Sequence, residues 1–244
     1  MSHVNITHVL INGCSHSAGS EIEASGIGDG NYNRDNSFGA RLAKRMGATY
    51  TNIAYPGASN DYIARTTQYW ILDNKELAKN TLFLIHWTGT DRTEYFYDNG
   101  HTGQFDFIPY APDKQVAHLH PQHYPDWVPS EWKTNLQQLS NHLFINHTQW
   151  DINRYNNIIL TQELLKSNNC RYIFRNAFQC CSPNKRYQYY IDKIDKDNFL
   201  HFDDAEQSFY EHCLNKGFDT KGQKYWHHKL EAHNYWANLL FNLL

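Results

Sequence analysis

The run Leu10-Ile11-Asn12-Gly13-Cys14-Ser15-His16-Ser17-Ala18-Gly19 sets a serine where a nucleophile would have to stand. Val9, Leu10 and Ile11 form an apolar strand, and Gly13-Cys14-Ser15 is a small-residue turn leading into a helix. Open backbone N–H groups at such a turn, together with the helix dipole, favour a developing anion beside the serine hydroxyl. The same run also suits a phosphate-binding turn, or a tight strand-to-helix turn whose serine is only a cap. The Gly-x-x-x-x-Gly-Lys and Gly-x-Gly-x-x-Gly phosphate signatures are absent from the chain, which disfavours a nucleotide-binding protein.

A reactive turn needs a scaffold, and the pattern of elements supplies one. A strand at 7–12 is followed by a Gly-rich loop from Ser25 to Gly30, then by a helix that Ser37 caps and Gly47 ends. Thr49 to Ala54 is a second strand, closed by Tyr55-Pro56-Gly57, and Asp61 to Leu72 has helical apolar spacing with Ser59 or Asn60 as its cap. Thr81-Leu82-Phe83-Leu84-Ile85 is a continuous apolar run, the mark of a strand buried on both faces. Residues 93–129 show no period and predict a long insertion or lid. A helix over Trp150–Lys166, a strand over Arg171–Arg175, a partly helical stretch over Phe199–Asn215 and a terminal helix over His228–Leu243 complete the chain. This alternation predicts one α/β domain, a three-layer α/β/α sandwich around a central parallel sheet, with its site at the carboxyl ends of the strands. Gly13-Cys14-Ser15, Gly57-Ala58-Ser59-Asn60 and His86-Trp87-Thr88-Gly89 each follow a strand and so converge on one edge. Trp226-His227-His228 opens the terminal helix, and the loop before that helix can return to that edge.

In these blocks the chain resembles the SGNH (GDSL-like) hydrolase family. The family's Gly-Asp-Ser-x-x-x-Gly is matched by Gly13-Cys14-Ser15-His16-Ser17-Ala18-Gly19, with Cys14 in place of Asp, and its second-block glycine by Gly57. The closing pair of histidines six residues apart is matched by His227 and His233, followed by Trp236-Ala237. Two positions depart from the pattern. Thr88 stands for the third-block asparagine, and Lys224 stands where the family has an acid three residues before its histidine. The resemblance spans about residues 7–95 and 150–240.

It implies a flavodoxin-like fold and an esterase or deacetylase acting on a small acyl ester of a small molecule or glycan, without metal or other cofactor. Ser15 would be the nucleophile and His227 the base, with His228 as its competitor. Gly57 N–H and the Thr88 hydroxyl would hold the oxyanion. The missing acid leaves either Asp219, eight residues before His227, or a Ser–His dyad. Together with the altered third block it also motivates an alternative, a catalytically weakened binding or structural module.

Composition narrows the partners. A net charge of −3 gives no basic field, so neither nucleic acid nor an anionic membrane surface is expected. No apolar run approaches the roughly 20 residues of a membrane span. The first residues lack the basic and apolar regions of a secretory signal, which predicts a cytoplasmic protein. The five cysteines form no metal-type CxxC pair and read as free thiols. His118, His120 and His123 sit in the insertion, where Pro121 interrupts regular geometry in a chain with 15 histidines, and no metal site is expected there. Arg92 reads either as an anion-binding side chain or as a solvated or salt-bridged one. The aromatic residues of the insertion, Trp127 and Trp132 among them, read either as a groove roof or as a satellite hydrophobic cluster. Oligomeric state is not legible in the sequence.

Overall fold

Side chains along a strand point alternately to two faces, and here each face carries its own helices. The structure, a computed structural model, describes residues 6–22, 31–90, 92–98, 105–110, 147–178, 184–220 and 227–244. In chain order the elements begin β1 (His8–Asn12), α1 (Ser15–Ala18), α2 (Asn31–Asn36), α3 (Phe38–Met46), β2 (Thr49–Asn52), α4 (Asn60–Asp73), α5 (Lys75–Ala78) and β3 (Thr81–Trp87). They continue β4 (Thr93–Asp98), β5 (Phe105–Tyr110), α6 (His147–Ser167), β6 (Arg171–Asn176), α7 (Gln188–Ile191), α8 (Phe209–Asn215) and α9 (Leu230–Phe241).

Four strands form an all-parallel sheet in the order β2-β1-β3-β6. Ile11 pairs with Asn52, Asn12 with Ile85, and Trp87 with Asn176, so all four strands end at one edge. Leu10, Phe83, Ile85, Tyr172 and Phe174 face one way and pack on Ile63 and Ile71 of α4 and on Tyr155, Ile158 and Leu165 of α6. Val9, Ile11, Leu82, Leu84 and Ile173 face the other way, against Phe38 and Leu42 of α3, Phe209 of α8, and Trp236 and Leu240 of α9. The result is the three-layer α/β/α sandwich that the alternation of elements predicts. No helix among the described residues is long and apolar enough to cross a membrane.

Local chemistry sets the element ends. Ser37 accepts the Ala40 N–H and starts α3, and Ser59, not Asn60, accepts the Tyr62 N–H and starts α4. That frees the Asn60 side chain for another use. β3 runs two residues past its apolar stretch, through His86 and Trp87, because β6 continues to pair with it there. The terminal helix begins at Leu230, later than the periodicity suggests, with Lys229 extended at its cap.

The stretch from 93 holds structure that the sequence does not announce: β4 and β5 form an antiparallel hairpin, Thr93 opposite Tyr110 and Asp98 opposite Phe105. Arg65 of α4 ties it down, with Nε and Nη2 donating to Glu94 at 3.1 and 2.9 Å. The His118–His123 cluster, Trp127 and Trp132 lie outside the described residues, as do Cys180 and Cys181. Cys14, Cys170 and Cys213 are free and buried.

One polar side chain sits inside the sheet–helix interface. Asn12, fully buried, donates from Nδ2 to the Ile63 carbonyl and to Thr66 and Thr67 Oγ1, and accepts the Gly13 N–H at 2.8 Å. Asn12→Leu keeps the volume and strands the buried Gly13 N–H. Urea unfolding should show a loss of about 1–3 kcal/mol, the cost of an unpaired buried polar group. A variant as stable as the parent would mean that this contact is dispensable.

Candidate active site

The edge where the strands end is organised around Gly13. Its backbone sits at φ +150°, open to glycine and strained for other residues. Its carbonyl accepts the Tyr55 N–H at the exit of β2. A Cβ at this position would stand 2.4 Å from Ser17 Oγ and 2.9 Å from the His86 carbonyl at the exit of β3. The segment leading to Ser15 is thus in contact with the exits of both neighbouring strands.

Ser15 opens the single turn α1, with Cys14 extended before it, and is 7% exposed. As the first helical residue its N–H has no partner within the helix. Gly57 lies in the turn after β2 at φ +80°, and no backbone hydrogen bond among the described residues uses its N–H or that of Ser15. Thr88 follows β3 directly and is fully buried, its hydroxyl without a partner among the described residues. Asn60 clamps this exit: Oδ1 accepts the Thr88 N–H at 2.9 Å, and Nδ2 donates to the Thr88 and Gly89 carbonyls at 3.2 and 3.1 Å. The Asn60 amide is therefore spent on backbone, and the Thr88 N–H is not open to a ligand.

Past α1 the chain doubles back. Gly19 at φ +79° and then Glu21 at φ +62° take left-handed conformations, the second uncommon for a non-glycine residue. This turn carries the Glu21 carboxylate, 5% exposed, to His227: Oε2 lies 2.8 Å from the ring Nδ1 and 3.4 Å from the His227 N–H. A carboxylate at Nδ1 holds the proton there and leaves the lone pair on Nε2. His16, next in the chain to Ser15, sets its ring 4.9 Å from that of His227, so the serine segment and the histidine share one small space.

The neighbouring histidines are used differently. His228, fully buried, donates from Nε2 to the Tyr210 carbonyl at 3.0 Å. His233 accepts the Phe38 N–H at 3.1 Å, holding the start of α3 to α9, and burial pushes its pKa down to about 3. Of the two adjacent candidates for a base, His227 has the carboxylate. Asp219, the acid the sequence favours for that histidine, is exposed and makes no bond to it, and Lys224 lies outside the described residues. Glu21 escapes sequence reasoning because the resemblance directs the search to the residues just before the histidine. The available signal is a carboxylate six residues after Ser15, behind a helix-ending glycine.

Burial lowers the His227 pKa below the ordinary imidazole value; the Glu21 hydrogen bond and charge oppose that shift, and the Arg92 charge adds to it. His16, wholly enclosed, is held well below the ordinary value by burial first and by the charges of His227, His228 and Arg92 next. Both shifts favour the neutral ring. Among the described residues no group of three or more His, Cys, Asp and Glu side chains is arranged to hold a metal ion.

Residues 21–240 match the family described as "Family of unknown function (DUF6071)", and the chain belongs to it. No curated protein matches. A solved structure of similar fold is that of a protein described in the words "The active site of a carbohydrate esterase displays divergent catalytic and non-catalytic binding functions". The likeness has a TM-score of 0.51 at 14% identity and covers 98% of this chain. The chain spans 64% of that protein's length. At this identity the likeness shows the fold alone.

The Glu21 contact makes a sign prediction for the imidazole. The carboxylate favours the charged ring, so Glu21→Gln removes an upward contribution and should move the His227 titration, followed by NMR, further to the acid side of the parent's. An unchanged or higher midpoint would show that Glu21 does not act on this ring in solution.

Proposed function

We propose that this member of the DUF6071 family is a serine ester hydrolase of the SGNH type, cleaving a small acyl ester through Ser15, His227 and Glu21. The observation that carries the reading is the buried carboxylate–imidazole bond, Glu21 Oε2 to His227 Nδ1 at 2.8 Å, beside the serine turn. A carboxylate so placed fixes the tautomer in which Nε2 can take a proton, and stabilises the imidazolium that follows.

In this mechanism Ser15 Oγ attacks the acyl carbon while its proton passes to His227 Nε2. The tetrahedral oxyanion is met by the N–H groups of Ser15 and Gly57 and by the Thr88 hydroxyl, which is buried and without a partner among the described residues. Loss of one such donor typically costs about 3 kcal/mol of barrier. The C–O bond to the alcohol then breaks, and the alkoxide leaves with the proton held on His227. Water attacks the acyl-serine with His227 again accepting a proton, and Ser15 departs reprotonated with release of the carboxylic acid. The serine proton passes through His227 to the departing alkoxide and the water proton passes through His227 back to Ser15 Oγ, so the cycle balances with no redox step. The likeness in fold to a carbohydrate esterase adds acylated glycans to the substrates worth testing.

A weakened binding module is the less economical reading, since one of its two motives, besides the altered third block, was a histidine without an acid, and Glu21 meets that need. The chain is taken as one domain, with the segment 93–149 inserted just after the exit of β3.

The experiment is hydrolysis of short 4-nitrophenyl esters together with labelling by a fluorophosphonate. Ser15→Ala should abolish both, while Ser17→Ala, which deletes a buried hydroxyl with no partner among the described residues, retains them. Glu21→Gln should lower kcat/KM by about 10³–10⁴-fold, as when a buried triad carboxylate is neutralised, and Asp219→Asn should change little. Since His227 must be neutral to accept the serine proton and its pKa is lowered, kcat/KM should rise with pH along an acid limb centred below 6.5 and level off through neutrality. Full activity in Ser15→Ala, or no labelling of the parent protein, would overturn the assignment.

A further inference from the structure

Beyond the reacting groups the site holds a cation with no hydrogen-bond acceptor among the described residues. Arg92 follows the exit of β3 and lays its guanidinium over the Phe178 ring at 5.1 Å. Phe178 lies 5.8 Å from His16, and His16 lies 4.9 Å from His227. The guanidinium thus stands two rings away from the imidazole that Glu21 holds. Its Nη1 is fully buried and has no hydrogen-bond partner, and no carboxylate among the described residues pairs with it.

A guanidinium presents its donors in its own plane. The Phe178 face can offset part of the charge from above, but it offers no acceptor in that plane. A desolvated, in-plane N–H without an acceptor is costly, and protein interiors normally pair it. Arg175, buried under α9 against Trp236 at 4.5 Å, leaves its Nε and Nη1 unpaired among the described residues as well, but anchors its guanidinium by donating from Nη2 to the Gln207 carbonyl. Arg92 makes no hydrogen bond among the described residues.

We infer that Arg92 receives an anionic group of the substrate, a carboxylate carried on either the acyl or the alcohol side of the scissile ester. The inference rests on the esterase reading for the word substrate, and on the Arg92 geometry alone for the anion. A carboxylate accepting from the fork forms a charge-assisted, bidentate contact that neither water nor a neutral ester can equal. In support, the charge of Arg92 is felt at His16 and at His227, depressing the basicity of both.

The test compares matched esters. Mono-4-nitrophenyl glutarate against 4-nitrophenyl pentanoate places the charge on the acyl side, and 3-acetoxybenzoate against its methyl ester places it on the alcohol side. The parent enzyme should prefer the charged member of one pair, and which pair identifies the side. Arg92→Gln should lower that charged-to-neutral ratio of kcat/KM by about 10- to 100-fold, the worth of a hydrogen bond to a charged group. Arg92→Lys, which keeps the charge without the fork, should fall between them. The ratio is read within each variant, so a general loss of folded protein does not alter it. A ratio unchanged by Arg92→Gln, or a parent enzyme with no preference in either pair, overturns the inference. If no ester is hydrolysed and no fluorophosphonate label forms, the esterase reading fails, and calorimetric titration of monomethyl glutarate then decides the anion site separately. Binding to the parent protein that is lost in Arg92→Gln upholds it, and no binding to the parent overturns it.

Discussion

At the end of β1 the backbone has to leave the sheet while the exits of β2 and β3 crowd the same edge. Gly13 manages this at φ +150°, where a Cβ would collide with Ser17 Oγ and with the His86 carbonyl. Asn12 holds the position from inside by accepting the Gly13 N–H, and Tyr55 holds it from the side by donating to the Gly13 carbonyl. From there the chain enters the one-turn helix that begins at Ser15, and the left-handed turn after it brings Glu21 back. The proposed chemistry therefore depends on a steric constraint located two residues before the serine.

Burial then decides what each polar group along this edge can be. His16, His86, His228 and His233 are all enclosed, and burial drives each below the ordinary imidazole pKa. Such rings are neutral and serve as packing surfaces: His86 stacks on Phe38 at 4.5 Å, and His233 on the same ring from 5.7 Å. His227 shares the burial but has a carboxylate on Nδ1, which opposes the desolvation and orients the ring. The same dry surroundings that keep the other histidines inert make a hydrogen bond donated to a carboxylate worth more than it would be in water. One side chain out of five, the proposed base, is thereby set apart by its partner and not by its residue type.

Much of this protein was determined by the sequence itself. Ser37 and Ser59 accept N–H bonds where a capping serine should, and an apolar run such as Thr81–Ile85 belongs to a strand covered on both sides. Consecutive parallel strands joined through helices bring the segments after β1, β2 and β3 to one edge, which is why Ser15, Gly57 and Thr88 gather there from local patterns alone. The antiparallel pairing of β4 with β5 was not legible, because neither segment shows the alternation that marks a half-buried strand. Nor was the choice between His227 and His228. They are neighbours in non-helical chain, where successive side chains point to opposite sides, and only the surrounding elements say which side meets a carboxylate and which the Tyr210 carbonyl. The acid itself was decided by tertiary structure entirely. Glu21 and His227 lie 206 residues apart, and their contact accompanies two left-handed conformations, at Gly19 and Glu21, that turn the chain back onto the strand edge. A contact made by folding the chain's two ends together leaves no spacing in the sequence to read.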